Sequence, residues 1–387
     1  MQILVFINFA AALQGVFLTY LIAHKRTKDT KSVVLGLLTF ILSISILGGI
    51  YGITGYHRKW PHLVNVADPL FLLYGPLLFT YIFVLTKNKL PKNVFLHAIP
   101  FVAYIIAFIP LYLKSPEEKI QFAEYIFLSE QVPVQGLLMQ VARVVYLGVY
   151  AVLSVRIVKA YQRQIKDNFS EIENISLHSA KRILYFFLVV LVIAFVTFVS
   201  GNLFSYNFNL SNNIIGFFVA ILIYSLAYST WNKKNTVDSS SQKKPQTAKN
   251  ILTDSEKTKG RSSYVLNDEQ FKEYSNRIKE AMEEDKVFTE NELSLSELSK
   301  KIGIQPYQLS ELISRVYGES FFDFINRHRI EEFKAKLEEP EYSSYSLLGI
   351  AMDCGFNSKS SFNTAFKKFT GITPSEYRKQ MPVTTGA

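Results

Sequence analysis

Cysteine is almost missing from this sequence, with one residue in 387. A lone thiol, Cys354, excludes an intrachain disulfide framework and a zinc site built from cysteines. The six histidines show no metal-ligand spacing such as HxxxH. We therefore expect no metal site and no cofactor.

Charge is also scarce and unevenly placed, with 19% charged residues against 49% hydrophobic ones. No Lys or Arg precedes the apolar run that begins at Ile3, so the amino terminus lacks the pattern of a cleavable signal. The basic cluster at 24–26 follows that run and indicates a retained anchor. Net charge is +9 up to residue 231, +5 over 232–263 and −4 beyond, so the high pI is no evidence for DNA binding.

Apolar residues are gathered into seven stretches of about 20 residues, long enough to cross the hydrocarbon core of a bilayer. The alternative for any one stretch is the core of a water-soluble protein, but seven in succession favour a membrane domain over 1–231. The third and fourth are the least certain, because only a short turn at 87–93 separates them. The predicted spans lie near 3–23, 33–54, 68–86, 94–113, 134–158, 183–206 and 213–231.

The basic residues between these spans indicate an orientation. The first, third and fifth loops are rich in Lys and Arg, whereas the second and fourth carry only two each and the sixth carries none. Since basic loops stay inside, the amino terminus is expected outside and Asn232 onward in the cytoplasm. The predicted location is the cell inner (cytoplasmic) membrane.

Residues 232–263 are polar and dominated by Ser, Lys, Thr and Gln. Such a composition cannot bury enough surface to fold, so we expect a flexible linker. Its lysines could approach anionic headgroups, but a solvated linker is the favoured interpretation.

Residues 264–387 show helical spacing of apolar residues and no convincing strand alternation. Two segments, 296–318 and 346–371, share one plan: a short helix, a turn containing Gly303 or Gly355, and a second helix with a polar outer face. One helical hairpin is weak evidence, but two copies joined by a long amphipathic helix are specific. The predicted fold is all-α: a seven-transmembrane-helix bundle followed by a double helix-turn-helix DNA-binding domain.

The tail resembles the DNA-binding domain of AraC/XylS-type transcription regulators. The resemblance rests on LSLSELSKKIGI, YGESFFDFINRHRI and, most specifically, GFNSKSSFNTAFKKFTGITPSEYR. Ser299 and Phe333 stand where the family usually has alanine, which concerns packing detail. The membrane half is similar to multi-span domains fused to this module in some bacterial regulators, with LLYGPLLFTY and LHAIPF as the recognisable pieces.

Helix geometry separates the inward from the outward residues of the two recognition helices. The inward stripes are Leu309, Ile313 and Val316 in the first helix, and Phe362, Phe366 and Phe369 in the second. The resemblance places base contacts at the outward positions, of which about half should touch a base. These positions are Gln305, Tyr307, Gln308, Glu311, Arg315, Lys359, Ser360, Asn363, Thr364 and Lys367. Phosphate contacts are expected from Lys367, Lys368, Arg378 and Lys379.

Within the membrane half, Arg143 is the one basic residue well inside a predicted span. An intramembrane charge is costly and marks a candidate functional site. Asp68 and Glu130 are its expected partners, either as a signal site or as a structural ion pair.

These features predict a membrane-bound transcription regulator whose membrane domain senses an unknown small-molecule or envelope signal. Its expected partners are double-stranded DNA, the lipid bilayer, RNA polymerase and a second copy of the chain.

The alternative is a transporter or membrane enzyme with a regulatory appendage. The spans show no HExxH and no carboxylate or histidine pair, so we expect no catalytic residues. Proteolysis within 232–263 is a further regulatory hypothesis.

Overall fold

The structure, a computed structural model, describes residues 2–24, 29–128, 134–171, 178–203, 213–225 and 268–381. Within these ranges the chain is helical, and its β-type pairing is an isolated antiparallel bridge between Phe169 and Ser294. By their contacts the described residues divide into two units. One is drawn from Met1–Lys159 and Leu177–Lys257, and the other from Ala160–Ser176 and Thr258–Ala387. The predicted linker over 232–263 lies outside the described residues.

The described part of the first unit contains the long apolar helices together with shorter ones. In chain order they are α1 (Gln2–Ala23), α2 (Thr30–Ile53), α3 (Phe71–Lys87), α4 (Ile99–Ala107), α5 (Ile109–Tyr112), α6 (Pro116–Leu128), α7 (Val134–Lys166), α8 (His178–Leu203) and α9 (Asn213–Ser225). The last residues of α7, from Ala160, group with the second unit.

Five helical segments of the described chain are long and apolar enough to cross a bilayer. They are Gln2–Ala23, Thr30–Ile53, Pro61–Lys87, Leu138–Lys166 and Ala180–Thr197. The expected fourth and seventh spans correspond to shorter apolar helices, Val94–Ala107 and Asn213–Ser225. The fourth is interrupted because α4 ends before Phe108 and a new helix starts with Pro110 near its beginning. Residues 226–231 of the seventh lie outside the described residues.

Small residues let the first helices of this unit pack closely. A Cβ at Gly15 would overlap the Ser43 hydroxyl oxygen, so any larger residue there would displace the Ser43 side chain. The Thr19 and Thr39 hydroxyls lie 3.0 Å apart across the same interface of α1 and α2. Close approach through small residues and shared hydroxyls is typical of helices that associate in lipid.

Large apolar side chains also cover the outside of this unit. Phe6, Val145 and Tyr185 are 72%, 60% and 74% exposed. Exposing such an apolar surface to water would cost free energy, whereas the hydrocarbon core of a bilayer can contact it without another protein covering it. The apolar exterior is therefore suited to a bilayer.

Within its described residues, the second unit contains seven further α-helices. They are α10 (Asp268–Glu283), α11 (Leu295–Ile302), α12 (Pro306–Tyr317), α13 (Phe321–Glu338), α14 (Leu347–Asp353), α15 (Lys359–Thr370) and α16 (Pro374–Gln380). The long helix α13 contributes Phe324 to one apolar core, with α10 to α12, and Phe333 to another, with α14 and α15. It joins the two halves of this unit through both cores.

Candidate nucleic-acid interface

The first helix-turn-helix consists of α11, a glycine turn and α12. Ser294 caps α11: its hydroxyl accepts the Glu297 N–H at 3.2 Å, and the Glu297 carboxylate accepts the Ser294 N–H at 2.8 Å. Gly303 ends the helix with φ +70°, a left-handed conformation that glycine adopts at low cost. Pro306 then opens α12 at a position where no N–H is needed.

The second helix-turn-helix consists of α14, the turn at Gly355 and α15. Ser346 caps α14 and Ser358 caps α15, each hydroxyl accepting the N–H three residues on, at 3.0 and 3.1 Å. Gly355 has φ +95°, and a Cβ there would lie 2.6 Å from the Phe288 carbonyl oxygen and 2.9 Å from Arg329 Nε. This turn therefore depends on glycine both for its backbone and for its surroundings.

Arg329 of α13 holds the region beside this turn. Its guanidinium is fully buried and donates from Nε to the Phe288 carbonyl at 2.7 Å and from Nη2 to the Glu290 carbonyl at 2.9 Å. Its Cζ also lies 5.6 Å from the centre of the Phe356 ring. One side chain thus connects the segment before the first motif to the turn of the second.

The outward face of α12 agrees only partly with the prediction. Tyr307 and Arg315 are exposed and Glu311 is half-buried, with Arg315 Nη1 3.7 Å from Glu311 Oε1. Gln308 is not outward: it is 7% exposed, and its Oε1 accepts the Gln305 N–H at 3.2 Å. At the third residue of the helix this amide satisfies a free N–H of the helix start, which draws it inward.

The inward stripe of α12 also needs a correction. Leu309 and Ile313 are buried as expected, but Val316 is 43% exposed and Leu312 is buried instead. The end of α12 is covered by Tyr317, whose ring packs on Phe324 of α13 with centroids 4.8 Å apart. The apolar core around α12 therefore ends before Val316, and the Val316 side chain remains exposed.

The outward face of α15 is the more open of the two. Phe362, Phe366 and the neighbouring Ala365 are buried, and Phe369 is half-buried. The exposed side chains are Lys359, Ser360, Asn363, Thr364, Lys367 and Lys368. A shallow hollow of about 420 Å³ is lined by Asn363, Thr364, Lys367, Lys368 and Thr373. Side chains that can donate and accept hydrogen bonds thus surround a concave, exposed surface.

Two of the predicted phosphate contacts already have partners within the chain. Lys368 Nζ lies 2.6 Å from Asp323 Oδ1, which ties α15 to α13. Arg378 donates to the Tyr345 and Ser343 carbonyls at 3.1 and 2.8 Å, which ties α16 to the segment before α14. Lys367 and Lys379 are exposed. The role of all these residues in binding DNA stays a prediction.

Cys354 lies behind the second turn and is fully buried. Burial raises the pKa of its thiol to about 12, so the thiol is protonated at neutral pH. Among the described residues no group of three His, Cys, Asp or Glu side chains is placed to hold a metal ion.

In the first unit the structure brings Arg143 and Asp68 together. Arg143 Nη2 lies 2.6 Å from Asp68 Oδ2, and the guanidinium carbon lies 4.2 Å from the centre of the Phe71 ring. The Tyr104 hydroxyl donates to the same Asp68 oxygen at 2.5 Å. Glu130, the other predicted partner, lies outside the described residues. The ion pair is about one-third exposed on each side.

Two capped helix pairs, joined through α13 and each presenting a polar face, define a helix-turn-helix domain near the carboxyl end. The family described as "Helix-turn-helix domain" matches residues 298–380. The chain is 36% identical over 121 residues to uncharacterized HTH-type transcriptional regulators of Staphylococcus aureus strains COL and N315. It is 31% identical over 91 residues to the uncharacterized HTH-type regulator YtdP of Bacillus subtilis strain 168.

These matches concern only part of each protein. The Staphylococcus alignments cover 31% of this chain and 15% of the relatives, and the Bacillus alignment covers 24% and 11%. A structure described as that of a protein of unknown function from Listeria innocua is 31% identical, covers 28% of this chain and 96% of its own, and has a TM-score of 0.24. The family match and the aligned relatives support a helix-turn-helix domain near the carboxyl end of the chain.

Proposed function

We propose that this chain is a membrane-bound, sequence-specific DNA-binding transcription regulator. The observation that carries the proposal is the pair of helix-turn-helix motifs, with exposed polar side chains on α12 and α15. A B-DNA major groove accepts one helix, and two motifs joined by a helix suit two successive groove segments. Double-stranded DNA is then the direct partner, and RNA polymerase and a second copy of the chain are the expected further partners.

The DNA-binding proposal is tested with a fragment of residues 262–387. It should bind selected promoter duplexes with an affinity that falls steeply with salt, because lysine–phosphate contacts release counterions. Lys367→Ala should lower the salt slope by about one, whereas Asn363→Ala should weaken discrimination between sequences. Lys279→Ala is the matched control, since Lys279 is an exposed lysine of α10 outside both motifs. Absent or salt-insensitive binding to every duplex would contradict the proposal.

For residues 1–231 we propose a seven-helix membrane domain, with the amino terminus outside and the helix-turn-helix domain in the cytoplasm. The five long apolar helices, the two shorter ones and the distribution of basic loops support this arrangement. Alkaline phosphatase fused after Lys59, Lys114 or Asn207 should be active. Fusions after Lys31, Lys92 or Lys166 should be inactive. The reverse pattern would refute the orientation.

We further propose the cluster around Arg143 and Asp68 as the signal site of the membrane domain. Its charges are paired yet partly exposed, so a polar signal could compete for either partner. Single Arg143→Ala and Asp68→Ala variants should lose the transcriptional response. The double variant distinguishes the roles: a purely structural ion pair predicts recovery of the response, whereas a signal site predicts a folded but unresponsive protein.

A further inference from the structure

The segment that ends α7 and follows it packs against the helix-turn-helix domain. We name residues 160–171 the strap. The Ser170 N–H donates to the Leu293 carbonyl at 3.1 Å, and the Leu295 N–H donates to the Asn168 carbonyl at 3.0 Å. These two bonds flank Phe169 and Ser294 and make the antiparallel bridge between them. The strap thus pairs its backbone with the residues that start α11.

The side chains at the end of the strap are buried in this contact. Phe169, Ser170 and Glu171 are 6%, 0% and 6% exposed. The Ser170 hydroxyl donates to the Leu293 carbonyl at 2.5 Å. Earlier in the strap, Lys166 Nζ lies 5.9 Å from the centre of the Phe322 ring of α13. Three consecutive buried residues distinguish this contact from a loop that merely lies on a surface.

The strap also reaches the helix that joins the two motifs. Asn326 Nδ2 donates to the Ser170 carbonyl at 3.3 Å, and Arg329 Nη2 donates to the Ser170 hydroxyl at 3.4 Å. Burial lowers the pKa of Arg329 to about 10, and the charge of Glu171 opposes that shift. Arg329 therefore remains charged at neutral pH, with the carboxylate of the strap as a favourable neighbour. Because Arg329 also lies against Gly355, the strap contacts the residue that connects both motifs.

We propose that the strap is an intramolecular docking segment through which α7 holds the helix-turn-helix domain. Its receiving surface consists of the Leu293 and Leu295 backbone together with Phe322, Asn326 and Arg329. The chain then enters this domain twice, through the strap and through the segment that precedes α10. The regulatory meaning of docking rests on the proposed function: a movement of α7 in response to a signal would be transmitted to the start of α11.

Docking leaves the proposed recognition faces free. Tyr307, Asn363 and Lys367 are exposed with the strap in place. The strap therefore leaves these three predicted DNA-facing side chains uncovered. A groove of about 330 Å³ beside it is lined by Arg163 and Asp167 of the strap and by Ser310 and Ser314 of α12.

The first test is a disulfide across the bridge in the full-length chain in membranes. In an antiparallel bridge of this type the facing residues are not hydrogen-bonded to each other, and their Cα atoms approach to about 4.5 Å. That spacing is within the range a disulfide accepts. Phe169→Cys/Ser294→Cys should form a disulfide on mild oxidation, whereas the matched pair Phe169→Cys/Ser375→Cys, with Ser375 exposed on α16, should not.

The cross-link is detected with a protease site inserted within 232–263. After oxidation and cleavage, the two fragments of the Phe169→Cys/Ser294→Cys chain should migrate together on a denaturing gel and separate after reduction. Fragments that separate as in the control pair would overturn the docking proposal.

Hydrogen exchange on the unmodified full-length chain gives a second test that needs no variant to fold. The Leu295 N–H belongs to the first turn of α11, where no partner exists within the helix. Its bond to Asn168 therefore reports on the strap alone. Exchange of this N–H in the full-length chain at least tenfold slower than the intrinsic rate of an unprotected amide in the same sequence supports docking, and exchange at the unprotected rate would overturn it. Neither test involves DNA, so a failure of docking and a failure of DNA binding are distinguishable.

Discussion

Replacement of Gly355 by alanine is the sharpest test of how the helix-turn-helix domain is built. Gly355 has φ +95°, and the added Cβ would lie 2.6 and 2.8 Å from the carbonyl oxygens of Phe288 and Thr289. It would also lie 2.9 Å from Arg329 Nε. Two of these three neighbours are backbone atoms, so the structure cannot relax by turning one flexible side chain.

The expected loss of stability has two sources. A left-handed backbone costs an L-residue about 1–2 kcal/mol. Displacing Arg329 weakens its 2.7 Å bond to the Phe288 carbonyl, and a buried hydrogen bond to a charged group contributes about 1.5–3 kcal/mol. Together they predict a loss of roughly 2.5–5 kcal/mol, which is a large fraction of the stability of an ordinary domain.

Gly371, in the turn after α15, provides a matched control. It has φ +81°, but a Cβ added there would meet no heavy atom of the described residues within 4 Å. Gly371→Ala should therefore cost only the backbone part, about 1–2 kcal/mol. Urea unfolding of the 262–387 fragment, followed by circular dichroism, measures both variants on one background. Equal losses for Gly355→Ala and Gly371→Ala would refute the argument that the surroundings of Gly355, and not its backbone alone, require glycine.

Three further predictions concern buried or paired side chains. Cys354 should resist iodoacetamide at pH 8 in the folded domain and react on unfolding, because burial raises its pKa to about 12; mass spectrometry measures the labelling. Burial, and then the charge of Arg327, lower the pKa of His328, so the unfolded chain binds a proton first as pH falls below about 6.5. The stability of the folded domain should therefore decrease as the pH is lowered. The melting temperature of the wild-type chain, relative to that of His328→Gln, should drop between pH 7.5 and 5.5. Lys368→Ala should lower stability by about 1 kcal/mol or less through loss of the ion pair with Asp323, while Lys367→Ala should leave stability unchanged.

Each of these predictions has an outcome that contradicts it. Rapid labelling of Cys354 in the native domain would mean that the apolar core formed by α13, α14 and α15 opens readily. If the difference in melting temperature between the wild-type chain and His328→Gln stayed the same from pH 7.5 to 5.5, His328 would bind its proton equally well in the folded and unfolded chains. Equal melting temperatures for Lys368→Ala and Lys367→Ala would show that the ion pair with Asp323 adds nothing to stability.

Much of the helix-turn-helix domain could be predicted from the sequence because its determinants are local. Ser294, Ser346 and Ser358 cap helices through bonds that reach three residues along the chain. Gly303 and Gly355 adopt positive φ angles at the turns where the sequence predicted them. The spacing of Phe362 and Phe366 indicates a buried face that the structure confirms. Interactions over three or four residues are encoded in the order of residue types.

Two predictions of side-chain position were wrong because a specific contact, and not the helical face alone, sets where the side chain lies. Val316 continues the apolar spacing of α12, yet it is exposed because Tyr317 and Phe324 close the core before it. Gln308 occupies an outward position by helix geometry, but a free backbone N–H draws its amide inward. Lys368 and Arg378 resemble free basic residues in the sequence, and only the folded chain shows Asp323 and two carbonyls beside them.

Local patterns in the sequence are enough to indicate apolar helices at the beginning of the chain and a helix-turn-helix domain near its end, because hydrophobic spacing, caps and glycine turns involve neighbouring residues. The packing of Phe169 and Ser170 against a domain that begins about a hundred residues later is visible only in the folded chain. The Ser170 hydroxyl and its acceptor, the Leu293 carbonyl, are 123 residues apart. The backbone bonds of this contact use groups that every residue carries, and its side-chain partners lie more than a hundred positions apart, so local patterns of residue types do not indicate it.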